Sequence, residues 1–405
     1  MRKKVLFVIN TLGRAGAETA MLELLRQLNP SEYEVSLYVL LNQGEMVHEL
    51  PPHVKLLNRK FKDTPVLNDQ GRKDLLRYSL GTMLRHNALL KNTGYLISNL
   101  FAMIRQGRIQ KDKLLWKILS DGADIFEEEY DLAVAYLEGG STYYVAEHVK
   151  ARKKAAFVHV DYNMAGYNRR LDQACYQKID HVFAVSDEVK DAFLTAYPEC
   201  SNRISVFHNL INRDRILNKA MEDGGFSDGY EGFRLLTVGR LTTQKAFDVS
   251  IQAMKLLKDH GVDAKWYVLG EGDQREFLEN LIAELNLQED FLLLGNKANP
   301  YPYFRQADLY VHCSRFEGKS IAIQEAQILG RPILVSDCSG NREQVTDGVD
   351  GALCDFNAHS IFNHILELIE NPGLRAQYAD AASQKVRANT KELEFFLNLI
   401  DTDNP

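Results

Sequence analysis

The sequence predicts an α/β protein built from two doubly wound, Rossmann-like domains facing across a cleft. Near-continuous apolar runs of five to seven residues alternate with helical periodicity along the chain, as strands covered on both faces of a parallel sheet require. The alternation breaks once, at a Gly- and Asp-rich stretch, and then restarts. Two sheets follow from that break rather than one.

In the first half, strands are expected at 5–10 (VLFVIN), 35–41 (VSLYVLL), 132–138 (LAVAYLE), 155–160 (AAFVHV) and 181–186 (HVFAVS). The N-terminal MRKKVLFVIN reads as a first strand rather than a leader, because its apolar run is short and leads into a glycine loop and a helix pattern. The break, KAMEDGGFSDGYEG at 219–232, has few core-forming residues and reads as a linker. Strands then recur at 233–238, 265–270, 291–295, 309–314, 332–336 and 351–355, separated by helices such as 247–260, 274–285 and 320–329. The resulting division is an N-terminal domain over 1–215, a linker over 216–232 and a C-terminal domain over 233–387, with a last helix over about 388–405 placed back on the first domain.

Composition narrows the class. With 45% hydrophobic and 25% charged residues in a chain of 405, disorder is excluded and two sizeable cores are expected. The five cysteines are odd in number and form no CxxC pair, which fits a reduced, cytosolic chain. No run approaches the length of a transmembrane helix. A net charge of −7 argues against general nucleic-acid binding, but residues 72–117 hold ten Lys or Arg against two Asp, a local balance of +8. Within that segment Leu89, Leu96, Ile97, Leu100, Phe101 and Ile104 share one helical face, and Arg105, Arg108, Lys111 and Lys113 follow it. Such a basic amphipathic segment either lies on an anionic membrane or covers its own domain's core.

The loops after the strands carry the chemistry. Gly13 and Gly16 stand between the first strand and a helix, where they form either a tight turn or an anion-facing loop. Without a full GxGxxG, a dinucleotide site is poorly supported. Gly239, Arg240 and Lys245 lie just past the strand at 233–238, and two cations on one loop can neutralise a diphosphate. Gly270 and Gly272 end the next strand. In SRFEGKSIAIQEAQILG, Glu317 and Gly318 sit in a loop, Lys319 and Ser320 lead into a helix, and Glu325 falls on the helix's apolar stripe with Ile321, Ala322, Ile328 and Leu329. A carboxylate there needs a partner, and a ribose diol would be one.

GAE at 16–18, GR with the following Lys245, GEG at 270–272, EGxxxxxxxEA from Glu317 to Ala326, and SGNRE followed by DGVDGALC at 339–354 resemble the retaining glycosyltransferases of family 4, which have the GT-B fold. The segments YDLAVAYLEGG (130–140) and HVDY (159–162) resemble its bacterial cell-surface polysaccharide members. The resemblance implies a hexosyl- or N-acetylhexosaminyltransferase that uses a nucleoside diphosphate sugar, a UDP-sugar, with neither a metal nor another cofactor. It assigns the donor diphosphate to Arg240 and Lys245, the donor sugar to Glu317, the ribose to Glu325 and the neighbourhood of the transferred sugar to His159. Gly16, Gly239, Gly272, Gly318, Lys319 and Ser320 would border the donor. A polyprenyl-diphosphate glycan acceptor would place the protein at the inner face of the cytoplasmic membrane, peripherally bound. The alternatives are a nucleotide-sugar epimerase of the same fold and a transferase acting on a soluble or protein acceptor. Ala15, Ala246 and Lys319–Ser320 depart from the family pattern.

Overall fold

Seven parallel strands make the sheet of the first unit: β1 (Lys3–Ile9), β2 (Tyr33–Val39), β3 (Lys55–Leu56), β4 (Glu129–Ala135), β5 (Lys150–Val158), β6 (His181–Ala184) and β7 (Ile204–Val206), in the order β3-β2-β1-β4-β5-β6-β7. Six more make the second: β8 (Phe233–Val238), β9 (Ala264–Leu269), β10 (Phe291–Leu293), β11 (Leu309–His312), β12 (Ile333–Ser336) and β13 (Ala352–Cys354), in the order β10-β9-β8-β11-β12-β13. This computed structural model describes residues 2–105, 110–162, 164–385 and 390–402. Both orders reverse direction after the first strand, between β1 and β4 and between β8 and β11. At such a switch point the flanking crossovers lie on opposite faces, leaving a crevice outside the carboxyl ends of the strands.

Alternate residues of each strand feed separate cores on the two faces, which is why both sheets read as continuous apolar runs. In the first unit Val5, Phe7 and Ile9 join one core while Leu6 and Val8 join the other. In the second, Leu235 and Leu236 divide in the same way. All five cysteines are free thiols, and all but Cys338 are buried.

The first unit runs to Leu210 and takes back the helix Thr390–Asp401; the second starts at Ile211. The returning helix buries Phe396 and Ile400 in the first unit's core. Its C-terminal end is capped by the Lys153 ammonium, which donates to the carbonyls of Leu399 (3.1 Å) and Thr402 (2.6 Å). The stretch expected as a linker is instead part of the second unit. Asn212 caps the helix Arg213–Ala220 by accepting from Arg215 N at 2.9 Å, and the Phe226 ring packs 4.3 Å from Tyr267. The Tyr230 hydroxyl donates to Asp263 at 2.8 Å. Two aromatic anchors outweigh the Gly and Asp content around them.

Candidate active site

In the second unit the predicted donor residues gather at the switch point. The loop after β8 carries Gly239 and Arg240 and then a 3₁₀ turn, Thr243–Lys245, that brings Lys245 back toward the strand end. Ala246 follows in the left-handed conformation, φ 50°, a backbone position that favours glycine. Gly270 and Gly272, after β9, let the neighbouring loop lie directly against this one. A Cβ on Gly270 would meet the Gly239 carbonyl at 1.9 Å, and one on Gly272 the Leu241 carbonyl at 2.1 Å.

The loop after β11 supplies the other half. Glu317 Oε1 accepts from the Lys245 ammonium, from Ser314 Oγ at 2.7 Å and from His312 Nε2 at 3.0 Å. Tyr310, two residues before His312 on the same face of β11, places its hydroxyl 2.9 Å from His312 Nδ1 and 3.4 Å from the Val238 carbonyl. The Glu317 carboxylate can only accept, which assigns the proton of a neutral ring to Nε2. Burial, with Lys245 adding to it, holds the His312 pKa below its usual value. Burial opposes ionisation of Glu317, but Lys245 and the His312 hydrogen bond more than offset it and keep this carboxyl well below the usual range. Among the described residues every side-chain hydrogen bond to Glu317 goes to Oε1, which leaves Oε2 its acceptor capacity there. Arg240 is exposed and forms no ion pair among the described residues.

Gly318 is seated by the following motif, since a Cβ on Gly340 would come 1.8 Å from the Gly318 carbonyl. Lys319 is half-buried, and Ser320 is the buried N-cap of the helix Ile321–Ile328. This helix has no solvent face of the kind its periodicity suggested: seven of its eight residues are buried, and Ala322, expected on the inward stripe, is the exception. Glu325 is nevertheless only 7% exposed. Its partner is the Tyr301 hydroxyl, which donates to Oε1 at 2.9 Å. Burial raises its pKa to about 7, with the Tyr301 bond acting in the opposite direction.

The first unit has its own cluster at its switch point. Gly16 opens the helix Gly16–Gln27 after β1. Asn10 donates to the Glu138 carbonyl at 2.9 Å and accepts from Ser141 N at 2.8 Å, which ties the loops after β1 and β4 together. The Glu138 carboxylate receives the backbone N–H of His159 (2.6 Å) and of Val160 (3.1 Å), fixing the loop after β5. Burial raises the Glu138 pKa, opposed by these backbone bonds. The His159 ring packs against Tyr136 and Phe157, its Nε2 is shielded without a partner among the described residues, and burial lowers its pKa to about 4. It is therefore a neutral imidazole at pH 7.

The four basic residues expected at a membrane or acceptor surface fare differently. Arg105 is exposed at the end of the helix Thr93–Arg105, and Lys111 opens the helix Lys111–Asp121. Arg108 lies outside the described residues. Lys113 is half-buried with its ammonium 4.0 Å above the Tyr167 ring, so it is engaged within its own unit. Glu138, Tyr301, Tyr310, His312 and Ser314 were not singled out from the sequence. Glu138 at the end of the apolar run 132–138 and His312 five residues before Glu317 were local signals, whereas Tyr301 had none.

The family model for glycosyl transferases group 1 matches residues 230–385, nearly the whole second unit. Over 226 residues the chain is 31% identical to the N-acetylgalactosamine-N,N'-diacetylbacillosaminyl-diphospho-undecaprenol 4-alpha-N-acetylgalactosaminyltransferase of Campylobacter jejuni, covering 55% of this chain and 60% of that one. It is 27% identical over 172 residues to a poly(ribitol-phosphate) alpha-N-acetylglucosaminyltransferase of Staphylococcus aureus, covering 41% and 34%. The chain thus spans less than two thirds of either relative. Anabaena HepE, solved in complex with UDP and glucose, superposes with a TM-score of 0.69 at 16% identity over 99% of this chain and 100% of that one. A variant of Staphylococcus aureus TarM, solved with UDP, gives 0.67 at 13% over 99% and 100%. The fold is GT-B.

Proposed function

We propose that the chain is a glycosyltransferase of hexosyl or N-acetylhexosaminyl type. It moves a sugar from a UDP-sugar to a polyprenyl-diphosphate-linked glycan during synthesis of a cell-surface polysaccharide. Transfer proceeds with retention at the anomeric carbon and needs no metal or other cofactor. The observation that carries this reading is the cluster of Arg240, Lys245 and Glu317 at the switch point of the unit that the glycosyl transferase model matches. The Campylobacter relative supports the acceptor class, both relatives support an α-linked product, and α-linked products from α-linked donors mean retention. UDP in both solved neighbours supports the base.

The residues take these roles. The Arg240 fork and the two ammonium protons that Lys245 has left after bonding Glu317 meet the diphosphate charge as the leaving group departs, the task a metal would otherwise perform. Glu317, clamped through Oε1, presents Oε2 to a hydroxyl of the donor sugar. Glu325 accepts from the ribose, His159 contacts the transferred sugar as a neutral donor or acceptor, and Gly16, Gly239, Gly272, Gly318, Lys319 and Ser320 border the donor. A panel of nucleoside diphosphate sugars tests the donor assignment. The correct one, at 100 times its dissociation constant, adds roughly 2.7 kcal/mol of stability, and a panel in which no UDP-sugar raises the melting temperature overturns it.

His312 acts as a positioning residue. His312→Leu removes one donor to Glu317 and leaves the Tyr310 hydroxyl with the Val238 carbonyl, so turnover should fall about tenfold, the loss of one charge-assisted hydrogen bond. Donor affinity should change little, and His312→Gln should restore part of the rate. Equal losses in kcat and donor affinity, or a rate per folded molecule that does not change, would assign His312 to folding alone.

Glu325 makes donor binding pH-dependent. Its pKa of about 7 means that the carboxyl ionises between pH 6 and 8, and the ionised form is the better acceptor for a ribose diol. The UDP-sugar dissociation constant should fall severalfold over that interval in the wild type and stay flat in Glu325→Gln. Stability runs the opposite way. A carboxyl whose pKa is raised in the folded state binds its proton more tightly there, so the free protein loses stability as pH climbs from the unfolded carboxylate range through about 7. A pH-independent affinity in the wild type would remove Glu325 from the donor site.

A further inference from the structure

From two outward-facing apolar stripes in the first unit, we infer that this unit docks on an anionic lipid surface by inserting apolar side chains as well as by charge. Eight of the sixteen exposed large apolar side chains among the described residues fall between Leu76 and Ile104. On the helix Asp69–Leu84 they are Leu76, Leu80 and Leu84, each four residues from the next. On the helix Thr93–Arg105 they are Ile97, Leu100, Phe101 and Ile104, a stripe at spacings of three, one and three.

The second helix carries apolar side chains on both faces, since Leu96 and Met103 pack inward with Tyr95 against Leu114 and Leu171. Its buried positions include Asn99, whose side chain donates to the Tyr95 carbonyl at 2.9 Å and accepts from Arg170 Nε at 3.0 Å. Met103 packs beside it against Leu114 and Leu171. The strongly apolar stripe points the other way, with Ile97 and Phe101 each 70% exposed. A helix that only covered its own core would keep its outward face polar. Of the two readings open from the sequence, the outward one is therefore the one that the fold favours.

Charge identifies the occupant as lipid rather than a second copy of this chain. Arg72, Lys73 and Arg77 are exposed and lie within the same outward arc of their helix as the three leucines, and exposed Arg105 borders the stripe on the other. Two copies meeting through these faces would bring like charges together, whereas an anionic leaflet complements cations that flank apolar side chains. No helix among the described residues is long and apolar enough to cross a membrane. At 13 residues, the Thr93–Arg105 helix is about 20 Å long, which suits lying within the interface. The inference rests on these exposed faces and not on the transfer reaction.

Three arms test it on the full chain. In the first, Phe101→Trp serves as a probe. Vesicles containing phosphatidylglycerol should shift its emission to the blue, brominated acyl chains should quench it, and neutral phosphatidylcholine vesicles should do neither. In the second, the Phe101→Gln/Ile104→Gln double variant should lose about tenfold or more in partitioning onto the anionic vesicles. In the third, changing Arg72, Lys73 and Arg77 to Gln should lower partitioning by on the order of 10², and raised salt should mimic that loss in the wild type. These substitutions sit on exposed positions, and an unchanged melting temperature confirms that the variants are folded. An emission spectrum that anionic vesicles leave unchanged overturns the inference. So does a concentration-dependent dimer that the double variant abolishes, which would give the face to a second copy. Loss of vesicle binding with transfer to a detergent-solubilised acceptor intact would separate this surface from the active site.

Discussion

Arg240→Ala is expected to lower turnover by on the order of 10² to 10³, as loss of one preorganised charge donor does elsewhere. The substitution is a clean one because Arg240 is exposed and forms no ion pair among the described residues, so no buried group loses a partner. The folded protein and its melting temperature should be unaffected, and the whole effect should appear in kcat. Lys245→Ala should lower turnover as much but for a mixed reason. It also leaves Glu317 buried without its cation, so some of its effect will be on stability. Comparing the two variants separates stabilisation of the leaving group from support of the site. Activity within a few-fold of wild type in Arg240→Ala would remove this residue from the mechanism.

Glu317→Gln is expected to destabilise the protein by about 3 kcal/mol, because it keeps the shape of the side chain and leaves the largely buried Lys245 ammonium without a counter-charge. The pH dependence has a definite sign. Glu317 has a folded-state pKa below its unfolded value, so the stability it contributes is present above the unfolded carboxylate range and is lost as pH falls toward the folded pKa. The difference between wild type and variant should therefore shrink in acid. Turnover should fall at least about tenfold, with altered preference among donor sugars, since Oε2 is the atom offered to the sugar. A variant with the wild-type denaturation midpoint and rate would show that the pair with Lys245 does neither job.

The architecture was legible because its signal is local. FRLLTV at 233–238 coincides with β8, as a strand buried on both faces offers no alternative periodicity. β3 and β7 were missed because KL and ISV stand in no longer apolar run, whereas β10 and β13, just as short and also at sheet edges, lie within FLLLG and GALCD. The stretch taken for a linker failed for another reason. Its composition is that of a loop, and the packing of Phe226 and Tyr230 depends on Tyr267 and Asp263, which lie some 30 to 40 positions on in the sequence.

The candidate site divides along the same line. Position in loops that follow strands marked Arg240, Lys245 and Glu317, while His159 came only from the family resemblance. What makes Lys245 and Glu317 a unit is a contact across 72 positions in the chain, and Tyr301 reaches Glu325 across 24. Neither pairing has a sequence period. Glu325 was placed correctly in the interior although the stripe argument does not describe its helix, which is buried nearly all round. Hydrophobic periodicity located the Thr93–Arg105 stripe but could not give its direction, because that depends on Leu114 and Leu171, which occupy the other side.

The most direct test of the central claim is to incubate the protein with a UDP-sugar labelled in the sugar, in the presence of a metal chelator, together with a polyprenyl-diphosphate-linked glycan. Label is then measured in the organic phase, and the anomeric configuration of the extracted product is read by NMR. The account predicts that label enters the lipid-linked glycan with the α configuration of the donor and that Arg240→Ala abolishes nearly all of it. Label remaining in the aqueous phase as an epimerised nucleotide sugar, or a β-linked lipid product, would contradict it.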